Sequence, residues 1–130
     1  MSTLVVATLK SNSSSPPAFQ NTSGTEIGTL CRAWVNFNGT GTVAIRAQFN
    51  VSSITDNGVG DYTVNFTTAI TDANYSMVAT VGRTTGNDFN MMAALYAGTP
   101  FTSSSARFGT KVSTQAGQED SPNCCVAIFR

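Results

Sequence analysis

The chain contains no histidine, and its 130 residues include only seven acidic and seven basic side chains. Its charged share of 11% is about half that of an ordinary soluble domain. Without histidine the usual general base and the commonest metal ligand are both missing. At zero net charge no basic excess exists to neutralise phosphates, so nucleic-acid binding is not expected. Balanced charge also weakens repulsion between copies, which suits a protein that self-associates. Cysteine is scarce: Cys31 stands alone, and Cys124 and Cys125 are adjacent. Neighbours on a strand face opposite ways and cannot easily bridge each other. Either all three are reduced thiols packed as small apolar groups, or Cys31 bridges to Cys124 or Cys125. A zinc site is poorly supplied, and no cofactor is expected. No run approaches the roughly eighteen apolar residues of a membrane span, so membrane insertion is not expected. The opening MSTLVVATLKSNSSS has an apolar patch with its lysine after it, a poor signal peptide; synthesis in a cytoplasm without ordinary secretion is the expectation.

Ser, Thr and Asn are what the chain has instead, roughly a third of its residues against far less in ordinary proteins. The polar surface must be built from hydroxyls and amides. Two regions differ in pattern. Residues 1–30 read as an extended N-terminal arm for anchoring or oligomerisation. Thr3–Leu9 could form one strand, and Pro16 and Pro17 then remove two backbone donors and favour extended geometry. Leu4, Val5, Val6, Pro16, Pro17 and Phe19 are its candidate anchoring residues. The arm has too few apolar side chains to fold alone: it is either a flexible tail or a segment ordered against neighbouring chains.

Residues 31–130 read as a β-sandwich domain. In CRAWVNFNGTG, Val35 and Phe37 share one face, and Asn38-Gly39 is a hairpin cue. Val43, Ile45, Ala47, Phe49 and Val51 alternate with polar residues and predict one strand with one inward face. SSITDNGVGD supplies a turn, after which Tyr62, Val64 and Phe66 form the returning face. Tyr75, Met77, Ala79 and Val81 share a face, as do Phe108, Thr110 and Val112. MMAALYAG is ambiguous by composition but too short for an uncapped helix, and CCVAIFR is the last strand. The expected fold is all-β: an antiparallel, jelly-roll-like β-sandwich of about seven or eight short strands preceded by the arm.

Catalytic sets are mostly absent. Asp56 and Asp61 lie on one predicted turn, an unsuitable couple for glycoside hydrolysis, and with Asn57 they fit no EF-hand spacing. Cys31 beside Arg32 lacks a histidine partner, and the Asn-x-Ser/Thr triplets follow from composition. Trp34 lies on the face opposite Val35 and Phe37: either it packs in a strand buried on both sides, or it looks outward as a candidate subunit contact. Two predicted loops are candidate distal contact surfaces: Thr84–Asn90, with Asn87, Asp88 and Phe89, and Gly98–Ser105, with Phe101 and the nearby Arg107. An aromatic among amides is what binding loops use, and folding back onto the core is the other reading for Phe89 and Phe101.

The run PPAFQNTSGTEIGTLCRAWVNFNGTG, with SITDNG and YTVNFTTA, resembles a segment of virion proteins of tailed bacteriophages, notably of cyanobacterial and marine hosts. It extends over about residues 16–74, and residues 75–130 carry no such likeness. The resemblance implies a non-enzymatic structural protein of the virion, a short tail-fibre or receptor-binding module displayed on the particle surface. It further implies an arm that joins the module to other tail or capsid proteins, and a homotrimer. A host surface receptor or polysaccharide is the expected outer partner. The arm leads into the domain with no shaft between, so a capsid decoration or cement protein is the alternative.

Overall fold

The computed structural model describes residues 3–12, 16–83, 90–98, 101–114 and 116–130. The chain divides into two compact units, Met1–Leu30 and Cys31–Arg130. In the first, β1 (Phe19–Gln20) and β2 (Glu26–Gly28) form an antiparallel hairpin. Asn21 makes its turn, Oδ1 accepting the amides of Ser23 at 3.0 Å and Thr25 at 2.9 Å. The strand anticipated over Thr3–Leu9 is not formed. Its alternation is apolar enough for a strand, but a strand needs a neighbour for its backbone groups.

The second unit is all-β. Its strands are β3 (Cys31–Asn38), β4 (Ala44–Phe49), β5 (Val51–Gly58), β6 (Asp61–Phe66), β7 (Ser76–Gly82), β8 (Met91–Leu95), β9 (Ser105–Val112) and β10 (Asn123–Phe129). They form two four-stranded antiparallel sheets, ordered β4-β3-β10-β7 and β5-β6-β9-β8. The hairpins β3–β4, β5–β6 and β8–β9 stay within one sheet, while the other connections cross between sheets. The result is an antiparallel β-sandwich.

Alternation decides which side chains meet between the sheets. Ala33, Val35 and Phe37 of β3 and Cys124, Val126 and Ile128 of β10 are buried. From the other sheet come Tyr62, Val64, Phe66, Ala106 and Phe108. Phe37, Tyr62 and Phe108 form the aromatic centre, with ring centroids 5.3, 5.8 and 6.3 Å apart. Toward one end Phe66 meets Tyr75 edge-on, and Tyr75 stacks on Phe101 at 4.7 Å.

Two sequence expectations need correction. The single strand over Val43–Val51 is broken at Asn50, whose φ of 55° turns the chain from one sheet into the other. Asn50 Nδ2 donates to the carbonyls of Arg32 and Thr68, both at 3.0 Å, and Oδ1 accepts the Thr68 amide at 2.8 Å. Val51 is therefore buried, and a bulge earlier in β4 leaves Ile45 opposite core Phe37 but turns Ala47 and Phe49 to the outer face. The broad turn SSITDNGVGD is also narrower than expected: β5 continues to Gly58, and only Val59 and Gly60 turn. At Asn38-Gly39 the glycine is needed for close approach. A Cβ there would stand 2.5 Å from the Tyr62 hydroxyl and 2.8 Å from the Ser121 carbonyl.

Candidate functional site

The sandwich presents two outer faces. On β5 and β6 the outward positions are mostly hydroxyls and amides. Asn65 Nδ2 reaches Ser53 Oγ at 3.1 Å and Thr55 Oγ1 at 2.9 Å, and Asn57 Nδ2 reaches Thr63 Oγ1 at 2.9 Å. Asp61 and Arg107 sit in this polar field on the neighbouring strands β6 and β9. Arg107 Nε donates to Asp61 Oδ1 at 2.8 Å, and a second guanidinium nitrogen bonds Oδ2. The Arg107 hydrogen bond holds the Asp61 carboxyl below its ordinary range, against the opposing effect of burial. The Arg107 guanidinium also lies 4.1 Å from the centre of the Tyr96 ring. Beside Tyr96 an open groove of about 340 Å³ is lined by Ala94, Leu95, Gly109, Lys111 and Gln118.

Arg107 is thus not on a contact loop. It stands mid-strand, committed to Asp61, because residue 107 alternates outward between buried Ala106 and Phe108. Phe101 is likewise no displayed aromatic: half-buried, it stacks on Tyr75 and packs against the core. Asn87, Asp88 and Phe89 lie outside the described residues.

The outer face of β4-β3-β10-β7 carries a register row of Phe49, Trp34, Ala127 and Val78, flanked by Arg32, Asn36, Arg46 and Thr80. Trp34 is 40% exposed there, opposite Val35 and Phe37 on the same strand. In the arm unit Leu4, Val5, Val6, Leu9, Phe19, Ile27 and Leu30 are all exposed, Val5 at 88% and Ile27 at 68%. Pro16 is exposed and Pro17 half-buried.

Five carboxylates of the sandwich, Asp56, Asp61, Asp72, Glu119 and Asp120, are engaged by backbone amides, a hydroxyl or cations. Asp56 accepts the Gly58 amide, and Asp72 accepts the Asn74 amide and pairs with Arg130. Asp120 Oδ1 accepts the Gly60 amide at 2.7 Å and lies 2.9 Å from the Tyr62 hydroxyl. Glu119 pairs with Arg83. Asp56 and Asp61 leave their shared turn, since Asp61 begins β6. Among the described residues no three His, Cys, Asp or Glu side chains come together as metal ligands.

The three thiols are free. Cys124 pairs with Phe37 and faces inward, whereas Cys31 is at the opposite end of β3 opposite Phe129, so no bridge spans them. Cys31 Sγ donates to the Ala33 carbonyl at 3.2 Å. Burial raises the Cys124 thiol to about 11; Cys125 is exposed on the outer face, between Asn36 and Thr80.

Sequence reasoning reached Trp34 through its position opposite two core residues. It missed the Asp61–Arg107–Tyr96 cluster, whose members are brought together only by strand pairing across dozens of residues. No protein-family model, curated protein or solved structure matches the chain.

Proposed function

We propose that this protein is a non-enzymatic structural component of a tailed-bacteriophage virion, a short tail-fibre or receptor-binding module displayed on the particle. The observation that carries the reading is the arm. Seven large apolar side chains are exposed in a thirty-residue unit attached to a packed sandwich. An apolar segment of this kind gains stability by burial against another surface, and a neighbouring chain is the surface proposed. Other tail or capsid proteins are the proposed neighbours, and a homotrimer is the proposed assembly. The phage assignment rests on the sequence resemblance over residues 16–74.

The sandwich suits such a role physically. Its core is dense in aromatics, and no histidine titrates between pH 5 and 8. A capsid decoration protein is the second reading, favoured by the direct junction of arm and domain at Leu30 and Cys31. Deleting residues 1–30 tests the anchoring role. The expected result is a sandwich that melts within a few degrees of the full chain and is missing from purified particles. Incorporation of the truncated protein at wild-type level would remove the anchoring role. Quantitative mass spectrometry of particles separates the two readings: a few copies mean a fibre, dozens to hundreds mean decoration.

A further inference from the structure

The dipeptide Asn-Gly occurs twice, at Asn38-Gly39 and at Asn57-Gly58. Glycine after asparagine leaves the backbone amide between them open to attack chemistry, because no Cβ shields it. The fold treats the two pairs differently. Gly39 is buried, and its amide donates to the Ser121 carbonyl at 2.9 Å. Asn38 is held at both ends of its side chain. Its Nδ2 donates to the Thr40 carbonyl at 3.0 Å, and its Oδ1 accepts the Thr40 amide at 3.2 Å and hydroxyl at 2.8 Å. The Tyr62 hydroxyl and the Ser121 carbonyl crowd Gly39 further, so a rearrangement there requires this end of the sandwich to open.

Asn57 stands in the opposite situation. Asp56 pairs with Tyr62 and Gly58 with Asp61, so Asn57 is the unpaired residue of a bulge next to the hairpin turn. Both Asn57 and Gly58 are exposed. Gly58 has a φ of 134°, and nothing lies within 4 Å of the place a Cβ would take, so the backbone there is free of packing. Its amide donates to Asp56 Oδ1 at 3.0 Å, which puts a carboxylate at hand to take the proton if the nitrogen reacts. Asn57 Nδ2 reaches Thr63 Oγ1 at 2.9 Å and Asp61 Oδ1 at 3.4 Å, the second long for a hydrogen bond.

We infer that Asn57 is a site of self-modification, at which the folded chain converts its own asparagine to aspartate and isoaspartate through a cyclic imide. The Gly58 nitrogen loses its proton and attacks Asn57 Cγ. A bond from that nitrogen to Cγ forms, the bond from Cγ to Nδ2 breaks, and ammonia leaves with the proton. Water then opens the imide, its hydroxyl going to a carbonyl carbon and its proton back to the Gly58 nitrogen. Addition at Cγ gives aspartate; addition at the main-chain carbonyl gives isoaspartate, with the backbone routed through Cβ and Cγ. Nothing is oxidised or reduced, and water is the sole co-reactant. The product adds a negative charge to a chain whose formal charge is zero. That charge lands beside the Asp61–Arg107 pair. A carboxylate at residue 57 cannot donate to Thr63 or Asp61, and it faces Asp61 as a like charge. The inference is independent of the virion reading, because the chemistry uses only this hairpin and water.

The test follows the full-length protein at mildly alkaline pH, folded in buffer and unfolded in guanidinium, with peptide mapping by mass spectrometry at intervals. In the unfolded chain the two Asn-Gly pairs should convert at comparable rates. In the folded protein Asn57 should convert while Asn38 lags by about tenfold or more, because Asn38 waits on local opening. Folded protein should also develop a more acidic band on isoelectric focusing as Asn57 converts. Asn57→Gln keeps the amide at an exposed position but must close a larger, slower ring, so the acidic band should be lost in that variant. Conversion of Asn38 as fast as Asn57 in the folded protein overturns the inference. So does a folded Asn57 that stays intact over a time in which the unfolded chain converts, or an acidic band that persists in Asn57→Gln.

Discussion

Tyr62 ties the two sheets to the loops at one end of the sandwich. Its ring is in the aromatic centre, and its hydroxyl lies 2.9 Å from both the Gly39 carbonyl and Asp120 Oδ1. Burial, then the neighbouring Asp120, raises its pKa well above the ordinary tyrosine value. Tyr62→Phe keeps the ring and removes the single hydroxyl donor that Asp120 and Gly39 share; it should lower stability by about 1–3 kcal/mol in urea unfolding. Gly39→Ala should cost a similar ~1–3 kcal/mol, because the added methyl overlaps the same hydroxyl and the Ser121 carbonyl. Loss of less than half a kcal/mol in either variant would show that this end of the sandwich relaxes freely. The inward position of Tyr62 was legible from its alternation with Thr63 and Val64. Its bond to Asp120 was not, because 58 residues separate the two.

Asn50 decides the fate of an element. Residues Val43 to Val51 alternate well enough to be one strand, and alternation alone cannot register a change of sheet. A residue at φ 55° reverses which side faces inward, so Phe49 and Val51 land on different surfaces. Asn tolerates this left-handed geometry and uses both ends of its amide to hold the corner. Asn50→Ala should lose those bonds and strain the backbone, destabilising by about 2 kcal/mol or more. Asn50→Gly keeps the backbone freedom and should cost less than the alanine variant. Equal losses in the two would mean that the backbone angle contributes nothing and the side-chain bonds contribute all. The arm is an element of another kind: its apolar residues were evident, but Thr3–Leu9 forms no strand because the ladder needs a second chain segment.

For the whole molecule, the composition predicts how stability depends on pH. Asp72 is lowered to about 2 by its hydrogen bond from Arg130, and Asp61 is lowered by Arg107. A depressed folded pKa stabilises above the ordinary carboxylate value of 3.8, and that gain is lost as pH falls through the folded value. Cys124 rises from 9.0 to about 11 and Tyr75 from 10.0 to about 12, both first through burial. Their neutral forms favour the fold below the ordinary values, and that gain is lost as pH rises through the folded ones. The urea midpoint should therefore hold level from about pH 5 to 8, then fall toward pH 3 and toward pH 11. A change within the neutral range as large as that in acid would contradict it. The sequence by itself determined the all-β class, the arm and domain division it proposes, and the inward residues of β3, β6, β7 and β9, because alternation is a local property of the chain. Only the tertiary structure decided the strand order, the corner at Asn50, the pairing of Asp61 with Arg107 and the row of Phe49, Trp34, Ala127 and Val78. Each of these joins residues through strand register, and register is fixed by the packing of both sheets together.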